Sequence, residues 1–186
     1  MIILYIMLTG LVIKSKIMNK LIFIVLCMIF CNLSNSQSNW VSKKYNYEVE
    51  IPKDFQIIKA TGKNVDLKVG NRDGNSIMIV VTKMPAEYKN QSIFQVLGNL
   101  EDYAEFWKQE ANETFNTLKL IKYGKTKISG YDAFWFDYTT DNDTFYYKNY
   151  SIKKGDLIFA VTFFSTKKDW NYYSAIWFRF KQQIKL

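Results

Sequence analysis

Four apolar-rich runs fill the second half of the chain, and the turns between them are too short for anything but antiparallel hairpins. The runs are Leu118–Ile128, Tyr131–Thr139, Thr144–Ile152 and Leu157–Ser165. Between them lie Ser129-Gly130, Thr140-Asp141-Asn142-Asp143 and Lys153-Lys154-Gly155-Asp156. A parallel return needs a crossover of roughly a dozen residues, so the series predicts a meander. The last run is apolar on both faces: Leu157, Phe159, Val161 and Phe163 alternate with Ile158, Ala160 and Phe164. Such a strand must be covered on both sides.

The rest of the chain supplies the covers. Tyr45–Ile51 alternates apolar with polar residues and predicts a half-buried strand stopped by Pro52-Lys53-Asp54. A short strand is expected in Phe55–Lys59 and another at Val65–Gly70, followed by a turn at Asn71-Arg72-Asp73-Gly74-Asn75. Ile77–Thr82 is β-branched and apolar, which fits a central strand. The period then changes. Ile93, Val96, Leu97, Leu100, Tyr103, Ala104, Trp107 and Ala111 form one stripe behind the N-cap Ser92, predicting a single helix to about Thr114. Trp170, Tyr173, Ile176, Trp177, Phe180 and Ile184 form a second stripe, with Lys181 and Lys185 at the negative end of its dipole. Leaving aside the short Phe55–Lys59 strand, the predicted order is β-β-β-α-β-β-β-β-α. The expected fold class is α+β, an α/β/α sandwich around an antiparallel sheet.

The front of the chain has a different character. Met18-Asn19-Lys20 precedes ten apolar residues, Leu21 to Phe30, and then Ser34-Asn35-Ser36-Gln37. A basic residue, a short apolar core and a small-x-small site in that order predict a signal peptide over 18–36, cut between Ser36 and Gln37. Ten residues fall short of the about 20 needed to span a bilayer. Residues 1–17 form a second apolar stretch, which is not how an export signal is built; they are expected to be a mis-called extension, with translation starting at Met18. Residues 37–186 are then a single exported domain, periplasmic or extracellular, with no membrane span left after processing.

Processing limits the chemistry. The chain has no histidine, and both cysteines, Cys27 and Cys31, lie in the removed segment. That excludes a Ser-His-Asp triad, a thiol nucleophile and His- or Cys-ligated metal. No P-loop, G-x-G-x-x-G or G-x-S-x-G is present. The expectation is a domain that is not an enzyme and carries no cofactor. Asp137, Asp141 and Asp143 crowd one hairpin; they read either as oxygen ligands for calcium or as a solvated turn. Lys122, Lys125 and Lys127 on one strand read as an attractive patch for an anionic surface or as the guard of a sheet edge. Tyr131, Trp135 and Tyr147 belong to a dense aromatic group on neighbouring strands, either core or binding surface. Export separates the chain from nucleic acid.

Several of these elements resemble the PsbP-like fold, which includes DcrB-like bacterial envelope proteins. The resemblance rests on Tyr47-x-Val49-x-Ile51-Pro52-x-x-Phe55, Gly130-Tyr131-x-Ala133, Gly155-Asp156-Leu157-Ile158-Phe159-Ala160-Val161-Thr162, and a final helix through Phe180 and Ile184. It spans about Tyr45 to Lys185. It implies an α/β/α sandwich and an accessory or binding role rather than catalysis. The lipobox of some envelope members is missing, since Met28-Ile29-Phe30 precede Cys31. The expected function is a non-enzymatic domain engaging a protein partner in the cell envelope, with Tyr131, Trp135, Tyr147 and the three lysines as its surface. The alternative is a carrier holding a small molecule or glycan in an aromatic groove.

Overall fold

The computed structural model describes residues 38–62, 64–114 and 117–186. The extension, the signal peptide and its cut between Ser36 and Gln37 lie outside the described residues. Ser38–Leu186 forms one compact unit. Its strands are β1 (Ser38–Ser42), β2 (Tyr47–Ile51), β3 (Gln56–Ile57), β4 (Val65–Gly70) and β5 (Ser76–Lys83), then β6 (Lys119–Ile128), β7 (Tyr131–Thr140), β8 (Phe145–Lys154) and β9 (Leu157–Thr166). The helices are α1 (Ile93–Leu97), α2 (Leu100–Thr114) and α3 (Trp170–Gln183).

The main sheet has seven strands in the order β3-β4-β5-β9-β8-β7-β6. Every neighbouring pair is antiparallel. From β5 the chain crosses through α1 and α2 to β6 at the far edge. The meander then walks back until β9 meets β5. The expected α+β class and order therefore hold, with two additions: the two-residue β3 joins the sheet edge, and β1 pairs with β2 as a separate two-stranded ribbon.

Alternation sorts the side chains to two covers. On one face Ile77, Ile79, Phe159, Val161 and Phe163 pack under α3 and β2. Phe163 meets Trp177 at 5.6 Å and Phe180 at 5.7 Å between ring centres. On the other face Phe134, Phe136 and Tyr138 lie under α1 and α2, with Trp107 stacked flat on Phe136 at 5.0 Å. Phe134, Phe136 and Tyr138 are thus core, while Tyr131 and Trp135, on the α3 side, are half-buried.

The single helix expected after Ser92 is broken. Ser92 and Gln95 form a reciprocal capping box, but α1 ends at Gly98, whose φ of 75° lies in the left-handed region. Asn99 then accepts the Asp102 amide at 2.8 Å and restarts the helix as α2. At the other end α3 stops at Gln183, and Ile184 is extended. Lys185 exchanges two backbone hydrogen bonds with Glu48, tying the C-terminus to β2.

Candidate binding cleft beside the C-terminal helix

Strand pairing sets out the floor of the site. Trp135 faces Tyr150 and Asp137 faces Lys148 in the β7–β8 register, all four on the α3 side of the sheet. Lys148 Nζ donates to Asp137 at 2.7 and 3.0 Å. The same ammonium sits 4.5 Å from the centre of the Trp135 ring, a cation–π geometry. Gly124 lies opposite Trp135 on β6. A Cβ there would come within 2.9 Å of the indole, so the glycine is what lets the ring lie close to the neighbouring strand.

Helix α3 makes the wall. Trp170, Ser174, Trp177, Phe178 and Lys181 recur at three and four along it, and all line a cleft of about 380 Å³ against β6, β7 and β8. Trp170 packs edge-on to Trp177 at 4.7 Å, while Phe178 is exposed at the rim. Lys181 Nζ lies 5.5 Å from the Tyr150 ring and 5.3 Å from Phe178. Burial pushes the Asp137 carboxyl up, against the opposing pull of Lys148. Burial, and then the charge of Lys148, push the Lys181 ammonium down. The ammonium groups of Lys148 and Lys181 and the carboxylate of Asp137 therefore share a hollow walled by aromatic rings, which Lys125 also lines.

A wider and more open hollow of about 990 Å³ lies beside the Asn71–Asn75 turn. Much of its polar lining is already engaged: Asn71 Oδ1 accepts from the Asp73 and Asn75 amides, and the Tyr173 hydroxyl accepts from Asn71 and donates to Asp73. It also gathers charges and rings, among them Lys68, Arg72, Asp73, Phe164 and Tyr172, but it is the more open of the two.

The residues singled out from sequence do not form one surface. Tyr131 and Trp135 pack on the α3 side, and Lys122, opposite Asp137, shares that face. Tyr147 lies on the other face, stacked on Tyr138 at 4.8 Å. Lys125 covers the Phe94 ring there at 4.8 Å, and Lys127 pairs with Asp132 at 3.1 Å. The three aspartates are also divided. Asp137 holds Lys148, while Asp143 accepts from Thr139 Oγ1, a bond that keeps its carboxyl below the usual range. Asp141, Asn142 and Asp143 have φ of 51°, 55° and 65°, so turn geometry accounts for these residue types. Among the described residues no three His, Cys, Asp or Glu side chains gather as a metal cage.

Lys148, Tyr150, Trp170, Trp177 and Lys181 were not in the expected surface. The helical spacing of 170, 174, 177, 178 and 181 was available as a signal. The pairing of Asp137 with Lys148 was not, because it depends on the strand register.

Strand order, the two covers and the antiparallel meander define a PsbP-like sandwich. The structure is similar to cyanobacterial PsbP (CyanoP) from Synechocystis sp. PCC 6803, with a TM-score of 0.67, 14% identity, and coverage of 81% of this chain and 92% of that one. It is also similar to LpqN of Mycobacterium tuberculosis, a protein involved in cell envelope biogenesis, with a TM-score of 0.55, 7% identity, and coverage of 82% and 86%. At such identities the likeness speaks for the fold alone. No protein-family model matches the sequence, and no curated protein matches it. No helix among the described residues is long and apolar enough to cross a membrane.

Proposed function

We propose that this chain is a non-enzymatic binding domain of the cell envelope, and that the cleft beside α3 receives a small ligand. The observation that carries the reading is the convergence of Trp135, Tyr150, Trp170 and Phe178 with Lys148, Asp137 and Lys181 in one hollow of about 380 Å³. Small-molecule sites span about 300–1,000 Å³, with apolar walls and few polar groups. The envelope setting is supported by the export signal expected over 18–36 and by the fold shared with LpqN. The non-enzymatic reading is supported by the lack of histidine and by the pairing of the cleft's carboxylate with Lys148. Nuclear magnetic resonance during a small-molecule screen tests the site: ligands should move the indole signals of Trp135 and Trp170 together. A screen in which hits shift only residues remote from α3 refutes the site. Recovery of the protein in the cytoplasm with Met18 still attached refutes the envelope setting.

A second reading has its own observation. β6 is an edge strand of ten residues, bonded on one side only to β7 among the strands of the sheet. It exposes Ile121 and Tyr123 beside Lys119, Lys122, Lys125 and Lys127. An envelope protein partner could add a strand there. Site-specific crosslinkers at Ile121 and at Phe178 separate the two: a protein adduct from Ile121 alone favours the edge.

A further inference from the structure

We infer that the cleft selects a small molecule with an apolar body and an anionic head; this rests on the cleft being the binding site. The charge count is the first argument. Lys148 and Lys181 bring two ammonium groups to the cleft and Lys122 lies on the same face opposite Asp137, yet among the described residues Asp137 is the only carboxylate lining it; Lys125 also lines the cleft, with its ammonium over the Phe94 ring on the other face. Lys181 makes no ion pair among the described residues; its ammonium lies against the faces of Tyr150 and Phe178. Cations in excess of the one carboxylate, in a half-enclosed hollow walled by rings, attract a negative charge.

The second argument is an orphan donor. Trp177 is 2% exposed and stands in the wall of the cleft, and among the described residues its indole N–H meets no acceptor. A buried donor without a partner is a cost that an incoming oxygen, or a water bound with it, removes. The third argument is shape. The apolar surfaces of Trp135, Tyr150 and Trp170 flank the lysine heads, so one molecule must offer both a hydrophobic body and a charge. A free inorganic anion would use only the lysines, and a neutral hydrocarbon only the rings.

A matched pair of probes tests this: naphthylacetate and its neutral counterpart naphthylacetamide, titrated into the protein with tryptophan indole signals as readout. The acid should bind at least about ten-fold more tightly, the scale of one charge-assisted hydrogen bond. Lys181→Gln leaves the Lys148–Asp137 pair in place; it should abolish that advantage and leave the amide's affinity unchanged. Asp137→Asn frees Lys148 from its competitor and should raise the acid's affinity several-fold with no change for the amide. Equal binding of acid and amide in the cleft overturns the anion selectivity and leaves the small-ligand reading standing. An acid preference untouched by Lys181→Gln also overturns it. If neither probe moves the indoles of Trp135 and Trp170, the cleft is not the site and both readings fall.

Discussion

Raising the pH should unfold this domain steeply, because its buried phenols cannot release their protons in place. Tyr47, Tyr138 and Tyr150 are 2%, 5% and 5% exposed, and burial is the leading cause that pushes each hydroxyl far above its ordinary value. Tyr47 also donates to Asp66 at 2.8 Å, which holds its proton further. Above about pH 10 an unfolded tyrosine releases a proton that the folded one keeps. The native state then binds more protons than the unfolded one, so stability falls as pH rises. Each such group removes about 1.36 kcal/mol per pH unit, and the three together about 4 kcal/mol. Tyr173, pushed up to about 12 by burial and by its bond to Asp73, adds to the loss. Lys153 and Lys181 are held below their ordinary value, chiefly by burial, and so work in the opposite direction. Their gain ends within about one unit above pH 10.4, beyond which only the tyrosine loss continues. Against a domain stability of about 5–15 kcal/mol, cooperative unfolding should fall near pH 11–12. Tyrosinate absorbance and circular dichroism, followed in one titration, should change together. Tyr150→Phe should reduce the pH slope of stability by about 1.36 kcal/mol per pH unit, one group's share. Phenols that ionise near pH 10 with the dichroism intact would refute the reasoning, as would an unchanged slope in Tyr150→Phe.

Three further perturbations address the supports of the fold and the site. Gly124→Ala places a Cβ within 2.9 Å of the Trp135 ring and should cost about 1–3 kcal/mol, read as a lower urea midpoint with a shifted Trp135 indole signal. Asn142→Val puts a β-branched residue at a φ of 55° and should cost about 1–2 kcal/mol, whereas Asn142→Gly should stay near the parent; equal melting temperatures for the two would contradict the turn geometry. Lys153→Met removes an ammonium that donates to the carbonyls of Lys89, Gln91 and Gly155 and should cost about 2 kcal/mol, with faster hydrogen exchange in the segment before α1 as the local sign.

The sheet was legible because its pattern is local. Short turns dictated hairpins, and alternation sorted Phe134, Phe136 and Tyr138 away from Tyr131 and Trp135, as the structure has them. The misses have physical causes. β1 carries no apolar alternation, with Ser38, Asn39 and Val41 exposed, and it forms through pairing with β2 across a turn closed by Asn46 at a φ of 53°. The apolar stripe from Ile93 to Trp107 continues across Gly98, so periodicity hid a break that the Gly98-Asn99 pair announces. The cleft was less legible than either. Its floor is made by two residue pairs set by the β7–β8 register, and its wall by a helix distant in sequence.

Lys153 shows why such sites escape a reading by composition. Beside Lys154, Gly155 and Asp156 it looks like part of a solvated turn. In the structure β8 runs on through Lys154, which places Lys153 on the face toward α1 with only 6% of its surface exposed. Its ammonium keeps water's role by collecting three carbonyl oxygens, two of them at 2.6 Å. Those carbonyls belong to the loop that delivers Ser92 to its capping position and to the turn that begins β9. One lysine thus couples the crossover to the meander, a role that depends on where the strand ends rather than on the residue types around it. The same logic governs Lys148 and Lys181. A lysine count records charge, but strand register decides which ammonium is matched by a carboxylate and which faces an aromatic ring. In this domain that difference separates Lys148, tied to Asp137, from Lys181, which lies against Tyr150 and Phe178.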